Sequence, residues 1–169
     1  MFDFKDYETF HSPMNDNPKT FQAIKTDDRV EIGVNQLTRG TPMSAGMDIS
    51  VWPEEEVTLM PGQKFMFPTG FKLWIGDENV VGIVAPRSSL GVKRGVQLAN
   101  TIGVIDADYQ GEWKICLLNT GDSAVTISPG ERVAQVIMMP VLNSFAITQT
   151  TEFEETSRGE GGFGSTGDI

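Results

Sequence analysis

Short apolar runs separated by turn-forming residues dominate this chain. Nine prolines and 18 glycines are scattered through it, and the runs between them are rich in Val, Ile and Phe. Runs of about four to eight such residues, bounded by Gly, Pro, Asn and Asp, are typical of β-strands. The pattern predicts these strands: Val30–Val34, Met47–Trp52, Lys64–Phe67, Phe71–Ile75, Val80–Ala85, Thr101–Ile105, Glu112–Leu118, Ala124–Ile127, Arg132–Met139 and Phe145–Gln149.

This succession of short strands, without a long helical period, predicts an all-β sandwich, jelly roll or barrel. One segment differs from the rest. Ser88–Arg94 follows Pro86 and Arg87 and opens with two serines, residues that favour the cap of a helix. We expect one short helix there, whose amino end faces whatever lies beyond Arg87.

The two ends of the chain differ from its middle. Residues 151–169 begin with an acidic TEFEETS, end in RGEGGFGSTGDI and contain five glycines, so we expect a flexible carboxyl-terminal arm. Residues 1–20 carry no motif that we can interpret and form an extension of unknown role. Residues 21–150 form the predicted β domain, and a chain of 169 residues is long enough for one domain of this kind.

Composition excludes several classes of protein. One cysteine, Cys116, and one histidine, His11, allow neither an intrachain disulfide nor a Cys/His zinc cluster. The longest apolar run, Val80–Ala85, is far shorter than the ~20 residues of a membrane helix. The acidic amino terminus lacks the pattern of a secretion signal. We therefore expect no membrane association and a reducing, cytoplasmic setting, or the host cytoplasm if the source is viral.

The distribution of charge points to a small anionic ligand. The 13 basic and 23 acidic residues give a formal charge of −10, which argues against a general nucleic-acid coat. Only the segment from residue 86 to residue 114 is positive, and it contains Arg87, Lys93, Arg94 and Lys114. An anionic ligand would bind there, unless the excess is ordinary surface charge.

The segment APRSSLG, residues 85–91, combines donors suited to phosphate. A guanidinium, two hydroxyls and the amino end of the predicted helix lie within a few residues of one another. The alternative is an ordinary capped helix beside an exposed arginine.

The segment NTIGVIDADYQGEW, residues 100–113, reads as a hairpin of apolar strands with an acidic turn. Asp106 directly follows Ile105, at a strand end where a carboxylate is partly desolvated and acts as a base. Tyr109 either covers a flat ligand or closes the turn. An acidic hairpin turn without a catalytic role is the alternative.

The segment RGEGGFGSTG, residues 158–167, spaces one aromatic ring, one cation and two hydroxyls along a glycine-rich chain. Phe163 is suited to stacking on a base, while Arg158, Ser165 and Thr166 are suited to phosphate. A tail of accidental composition is the alternative.

Five segments in this order resemble the five motifs of the trimeric dUTP diphosphatase (dUTPase) family: SAGMDIS, APRSSLG, NTIGVIDADYQG, GERVAQVI and RGEGGFGSTG. The resemblance runs from Ser44 to Gly167. It implies a distorted jelly-roll subunit and a homotrimer in which three subunits share each active site. It also implies hydrolysis of dUTP to dUMP and diphosphate, which limits uracil incorporation into DNA and supplies dUMP for dTMP synthesis.

The resemblance assigns a role to each matching residue. Asp106 matches the general base, Tyr109 the ring that packs on deoxyribose, and Asp48 the carboxylate that holds magnesium (Mg2+) through water while the substrate triphosphate chelates the ion. Phe163 matches a lid over uracil. The remaining substrate-binding positions are Arg87, Ser88, Ser89, Asn100, Gly103, Val104, Ile105, Gln135, Arg158, Gly164, Ser165 and Thr166.

Two matching positions need comment. Ser89 stands where many members of the family have glycine, which adds a hydroxyl near phosphate. Arg132, in the fourth motif, is interpreted as structural and is expected to pair with an acidic residue of the arm or of a subunit interface.

Two other functions remain alternatives. The first is dCTP deaminase, which has the same fold, but its chemistry needs a glutamate where this chain has Cys116, and the DYQG turn with Tyr109 follows the dUTPase pattern. The second is a protein that keeps the fold in order to bind a partner, for which residues 1–20 are the candidate segment.

Overall fold

A computed structural model describes residues 20–143 and 146–162. The predicted site residues Phe163, Gly164, Ser165 and Thr166, and residues 1–19 of the predicted extension, lie outside these ranges. The described elements are β1 (Gln22–Lys25), β2 (Met47–Val51), β3 (Val57–Leu59), β4 (Lys64–Trp74), β5 (Val80–Pro86), α1 (Ser88–Arg94), β6 (Val96–Leu98), β7 (Gly103–Ile105), β8 (Glu112–Asn119), β9 (Val125–Ile127) and β10 (Glu131–Pro140).

The strands form two four-stranded sheets and one ribbon. The first sheet has the order β1-β4-β8-β6, the second has the order β2-β10-β5-β7, and β3 pairs with β9. All of these strand pairs are antiparallel. The all-β prediction with one short helix is therefore confirmed. Across the described ranges, no helix is both long enough and apolar enough to cross a membrane.

The core lies between the two sheets and follows from alternation along the strands. In β8, Trp113, Ile115 and Leu117 are buried, while the residues between them face outward. Val84 of β5 and Val136 of β10 bury their side chains in the same core from the second sheet. Full burial of an apolar side chain of this size contributes about 1.5–3 kcal/mol. The alternation therefore fixes which face of each strand points into the core, and the opposite face remains for the site.

Several predicted strands differ from the structure. The predicted strands Lys64–Phe67 and Phe71–Ile75 merge, except for Ile75, into one continuous strand, β4, which passes through Pro68 with a register shift against β8. Val30–Val34 forms turns instead of a strand, because only Val30 is buried and Val34 closes a turn onto the Glu31 carbonyl. Residues 146–149 form no strand, and Phe145 lies outside the described residues.

The predicted hairpin from Asn100 to Trp113 is wrong. Strand β7 pairs with β5 in the second sheet, whereas β8 pairs with β4 and β6 in the first. The segment that contains β7 therefore leaves one sheet, adds an edge strand to the other and returns. Gly103 permits this pairing, since a Cβ atom at that position would lie 3.1 Å from the Cβ of Val84.

Candidate active site

Strand register brings together residues from three separate motifs. Gln135 of β10 lies opposite Asp48 of β2 on one side and opposite Ala85 of β5 on the other. Cross-strand partners share one face of a sheet. Arg87 follows β5 directly, and its amide donates to the Val133 carbonyl at 3.2 Å. We call Asp48, Arg87, Arg132 and Gln135 the Asp48 cluster.

Asp48 is held by two arginines. Its Oδ1 lies 3.4 Å from Arg87 Nε, and its Oδ2 lies 3.0 Å from Arg132 Nη1. The Asp48 side chain is only 15% exposed. Because the charges of this group sum to +1, its field favours an anion over a free cation.

The Asp48 cluster fits a metal that arrives already bound to an anion. No group of three or more His, Cys, Asp or Glu side chains within the described ranges could hold a metal ion. A cation in direct contact with Asp48 would face two guanidinium groups. A hydrated Mg2+ chelated by a triphosphate fits better, because Mg2+ usually keeps several waters and is shared with substrate phosphates.

Gly46 holds the side chain of Gln135 in place. A Cβ atom at residue 46 would lie 2.5 Å from Gln135 Oε1 and 3.2 Å from Gln135 Cβ. The Gln135 amide also donates to the Pro86 carbonyl at 3.4 Å. The glycine of SAGMDIS is therefore required because the Gln135 side chain lies directly over it.

Helix α1 begins at Ser88, as predicted, but the serines do not cap it. Arg87 is the N-cap residue, in an extended conformation and without a side-chain capping bond. Ser88 and Ser89 are exposed residues of the first turn, beside the Asp48 cluster. The buried side chain of Leu90 anchors the helix to the core.

A cavity of about 380 Å³ lies between the β7 segment and β8. Asn100, Gly103, Val104 and Ile105, the four residues predicted to read a base, all line it. The turn before β7 is strained: Thr101 has φ +66°, an unfavourable value for a β-branched residue, and the Ile102 amide donates to the Asn100 carbonyl at 2.7 Å. Strain of this kind is often found at ligand sites.

Asp106 and Tyr109 line an adjoining cavity of about 470 Å³, which Val104 and Ile105 also line. The Tyr109 amide donates to the Asp106 carbonyl at 3.2 Å, which closes the acidic turn. Asp106 is exposed in the single chain, so further desolvation of its carboxylate would have to come from a neighbouring subunit or from the bound substrate.

The ring of Tyr109 lies over Gly111. Its hydroxyl donates to the Glu112 carbonyl at 3.0 Å, and a Cβ atom at residue 111 would stand 2.6 Å from Tyr109 Cζ. The glycine of DYQG is thus needed for the position of the tyrosine, which is 43% exposed and faces the cavity.

The Asp48 cluster and Asp106 lie at opposite ends of strand β5. Ile105 pairs with Gly82, near the amino end of β5, and Asp106 continues past that pair, whereas Arg87 follows the carboxyl end. At about 3.3 Å per residue, the six steps along the chain from Val81 to Arg87 span roughly 20 Å. Neither cavity beside β7 includes Asp48, Arg87 or Gln135 in its lining.

Arg158 is separate from both groups. It is exposed, its Nε donates to the Gly161 carbonyl of the same segment at 2.9 Å, and it lines neither cavity beside β7. Its predicted arm partners lie outside the described residues.

Four residues of these sites were missed or given another role by sequence reasoning. Within the described residues Arg132 pairs with Asp48, a partner that sequence reasoning did not name, and Lys114 lines both cavities beside β7. Gly46 and Gly111 hold predicted site residues in position. Gly46 and Gly111 lie inside the SAGMDIS and DYQG segments, which was the available signal. The contact of Gly46 with Gln135 depends on strand register, whereas the contact of Gly111 with Tyr109 is local.

Three comparisons with known proteins identify a family, similar sequences and similar folds. The dUTPase family model matches residues 33–167. The deoxyuridine 5'-triphosphate nucleotidohydrolase of Photorhabdus laumondii is 45% identical over 130 residues, which cover 77% of this chain and 85% of that protein.

Solved structures share the fold. A mutant dUTPase of Staphylococcus bacteriophage 80alpha, solved with dUpNHpp, has a TM-score of 0.76 and 26% identity, covering 89% of this chain and 99% of that chain. The mutant dUTPase of phage phi11 of S. aureus, described for its coordination of a structural Mg(II) ion, has a TM-score of 0.70 and 23% identity. The latter match covers 81% of this chain and all of that one.

Proposed function

This chain belongs to the dUTPase family and hydrolyses dUTP to dUMP and diphosphate, and we propose that it does so by in-line attack of water on the α-phosphate. Asp106 takes the proton of the attacking water, the bond from the α-phosphorus to the bridging oxygen breaks, and diphosphate leaves. The observation that carries this proposal is the arrangement of Asp106 and Tyr109 in a cavity that adjoins the one lined by Asn100 and Gly103.

Uracil binds in the cavity of about 380 Å³ between the β7 segment and β8. Backbone groups from Gly103 to Ile105, together with Asn100, read the polar edge of the base, and a tight wall at C5 excludes the methyl group of thymine. Tyr109 packs on deoxyribose and leaves no room for a 2′-hydroxyl. The bound dUpNHpp, a dUTP analogue, in the related phage 80alpha protein supports a nucleotide as the ligand.

The phosphates bind at the Asp48 cluster and the start of α1. Arg87, Ser88, Ser89 and Gln135 contribute a cation and neutral polar groups to the phosphate oxygens. Asp48 holds Mg2+ through water. The phi11 dUTPase coordinates a Mg(II) ion that is described as structural, which supports the identity of the metal and not its position. When bound, Mg2+ neutralises phosphate charge and polarises the group under attack.

The arm completes the site. Phe163 covers uracil, while Arg158, Gly164, Ser165 and Thr166 close on the γ-phosphate. This gives the chain three parts: an extension (1–20), the β domain (21–150) and the arm (151–169).

Each active site is shared between subunits of a homotrimer. Two observations support this. Asp106 and Arg87 lie roughly 20 Å apart along one chain, whereas a catalytic base must lie within about 3 Å of the water it activates. The outer face of the second sheet is also apolar beyond the Asp48 cluster, with Ile83 opposite Ile137 and Val81 opposite Met139. Such a face is suited to burial against other subunits.

In the cell, this reaction limits uracil incorporation into DNA and supplies dUMP for dTMP synthesis. The protein works on free nucleotides and binds neither nucleic acid nor a membrane. No observation in the described residues favours a second function.

The decisive experiment measures diphosphate release by the purified protein with Mg2+. We expect release from dUTP and little from dCTP, dTTP or UTP. Asp106→Asn should abolish turnover while retaining affinity for dUpNHpp. Loss of nucleotide binding in Asp106→Asn would overturn the role of the base, and release of ammonia from dCTP would favour deamination instead.

A further inference from the structure

Asp48 contacts two arginines, Arg87 and Arg132, which would act differently once a nucleotide binds. Arg87 and Arg132 each face a different oxygen of the same carboxylate, at 3.4 Å and 3.0 Å. Arg87 is the predicted phosphate ligand, so its guanidinium has to serve either Asp48 or phosphate. Arg132 is connected to Asp48 across a span of 84 residues by a direct hydrogen bond from Nη1 to Oδ2.

The two arginine contacts of Asp48 differ in length and geometry, and the difference would allow Arg87 to exchange Asp48 for phosphate. The Arg87 contact is the longer one and involves Nε, while the shorter Arg132 contact is a charge-assisted hydrogen bond. The Asp48 carboxylate is largely covered by protein, and a covered charge without a partner is costly. If Arg87 turns to phosphate, one guanidinium therefore has to remain with Asp48.

We propose that Arg132 is a positioning residue that retains the Asp48 carboxylate while Arg87 transfers from Asp48 to the phosphates of the substrate. This inference rests on the proposed function of the site. Without Arg132, Asp48 has Arg87 as its remaining partner, and the phosphate then competes with a full carboxylate charge for the Arg87 guanidinium.

The test is a double-mutant cycle on Asp48 and Arg132, read out as dUpNHpp affinity by titration calorimetry with EDTA and without metal. Removing metal removes the separate contribution of Asp48 to metal binding. We expect Arg132→Gln to weaken binding on the order of tenfold, which corresponds to 1.4 kcal/mol. Arg132→Lys, which keeps a cation beside Asp48, should recover most of the loss.

The second half of the cycle distinguishes positioning from direct phosphate contact. In an Asp48→Asn background, Arg87 is already free, so Arg132→Gln should have little further effect on affinity. An equal, additive loss in both backgrounds would assign Arg132 to phosphate itself and overturn the proposal. Unchanged affinity in Arg132→Gln with lowered thermal stability would make the residue purely structural and would overturn it as well.

Arg94→Gln is the matched control. Arg94 forms an ion pair with Glu131, the neighbour of Arg132 on β10, and donates to the Thr126 carbonyl. Its loss removes an arginine ion pair from the same strand end and should leave dUpNHpp affinity unchanged. If the wild-type protein binds no dUpNHpp at all, the proposed function fails; if it binds and the cycle is additive, only the role of Arg132 fails.

Discussion

Arg87 and Asp106 lie at opposite ends of strand β5, roughly 20 Å apart at the usual rise of a strand. In-line hydrolysis needs the base about 3 Å from the attacking water and the water about 3–3.5 Å from phosphorus. One chain in this conformation therefore does not offer both residues to the same phosphate group. An active site that uses both residues would therefore take them from different subunits.

Two inactive variants should restore activity when they assemble together. Arg87→Gln keeps Asp106, and Asp106→Asn keeps Arg87. If each site takes these residues from different subunits, random 1:1 assembly gives about one quarter of the sites both intact residues. Coexpression of differently tagged chains, followed by a diphosphate-release assay, should therefore recover about a quarter of wild-type kcat.

The control for this assembly experiment combines Asp106→Asn with Asp106→Ala, a pair that cannot build an intact site. That mixture should remain inactive. A complete absence of recovery in the first mixture, with mixed assemblies verified by both tags, would place the whole site within one chain.

Gly46→Ala should displace Gln135 from the phosphate site. The new methyl group would lie 2.5 Å from Gln135 Oε1, too close for the amide to stay in place. We expect weaker nucleotide binding, with KM for dUTP raised roughly tenfold if one hydrogen bond to a charged group is lost. Steady-state kinetics measure this change.

Gly40→Ala is the matched control for Gly46→Ala, because a Cβ atom there meets only Ser44 Oγ, at an ordinary 3.6 Å. It should leave KM near the wild-type value. A Gly46→Ala protein with normal KM would show that the position of Gln135 does not matter for phosphate binding.

Gly111→Ala should weaken discrimination against ribonucleotides. The methyl group would push the Tyr109 ring away from its position over residue 111. If that ring excludes the 2′-hydroxyl, the ratio of kcat/KM for dUTP to that for UTP should fall. One excluded steric contact is worth about 1–3 kcal/mol, or roughly 10–200-fold.

Tyr109→Phe provides the comparison for Gly111→Ala. It removes the hydrogen bond to the Glu112 carbonyl but keeps the ring, so the dUTP/UTP ratio should stay close to wild type. A larger loss of discrimination in Tyr109→Phe than in Gly111→Ala would assign selectivity to the hydroxyl instead of the ring.

Local signals predicted most of the strands and the motif residues, but not the pairings that join them. The apolar runs identify β2, β5, β8 and β10, because each buries alternate or continuous apolar side chains. The Asp48–Arg132 contact spans 84 residues and depends on β2–β10 register, which no short window contains. The apparent hairpin failed for the same reason: β7 pairs with the distant β5 edge.

Gln36→Leu should strongly destabilise the fold. The Gln36 side chain is fully buried, donates to the Ser50 and Thr69 carbonyls at 2.8 and 2.9 Å, and accepts from the Ser50 amide at 2.7 Å. Leucine would leave these buried backbone groups unpaired, at about 1–3 kcal/mol each.

Urea denaturation at fixed protein concentration measures the effect of Gln36→Leu. The free energy of unfolding should fall by at least about 2 kcal/mol. Gln97→Leu, on an exposed side chain of β6, is the control and should change it little. Similar small effects of both substitutions would mean that Gln36 contributes no net stability.

Asp27 should stabilise the protein in a pH-dependent way. Hydrogen bonds from the Arg29 guanidinium lower the pKa of the Asp27 carboxyl below its ordinary value of 3.8. A depressed carboxyl pKa means that the folded state prefers the ionised form, so this stabilisation is fully present above about 3.8 and is lost as the pH falls through the folded pKa. Arg29 also donates to the Trp52 and Pro53 carbonyls, so the Asp27–Arg29 pair joins the loop before β2 to the residues that follow β2.

Comparing wild type with Asp27→Asn by urea denaturation from pH 7 to pH 2.5 isolates this contribution, because other carboxyl groups titrate in both proteins. The difference in the free energy of unfolding should be constant near neutral pH and shrink as the pH drops below 3.8. Asp28→Asn, which removes an exposed carboxylate 3.4 Å from Lys25 Nζ, is the matched control at neutral pH and should change the free energy of unfolding there by less than about 1 kcal/mol. A difference for Asp27→Asn that grows on acidification would reverse the predicted sign and show that protonated Asp27 is the stabilising form.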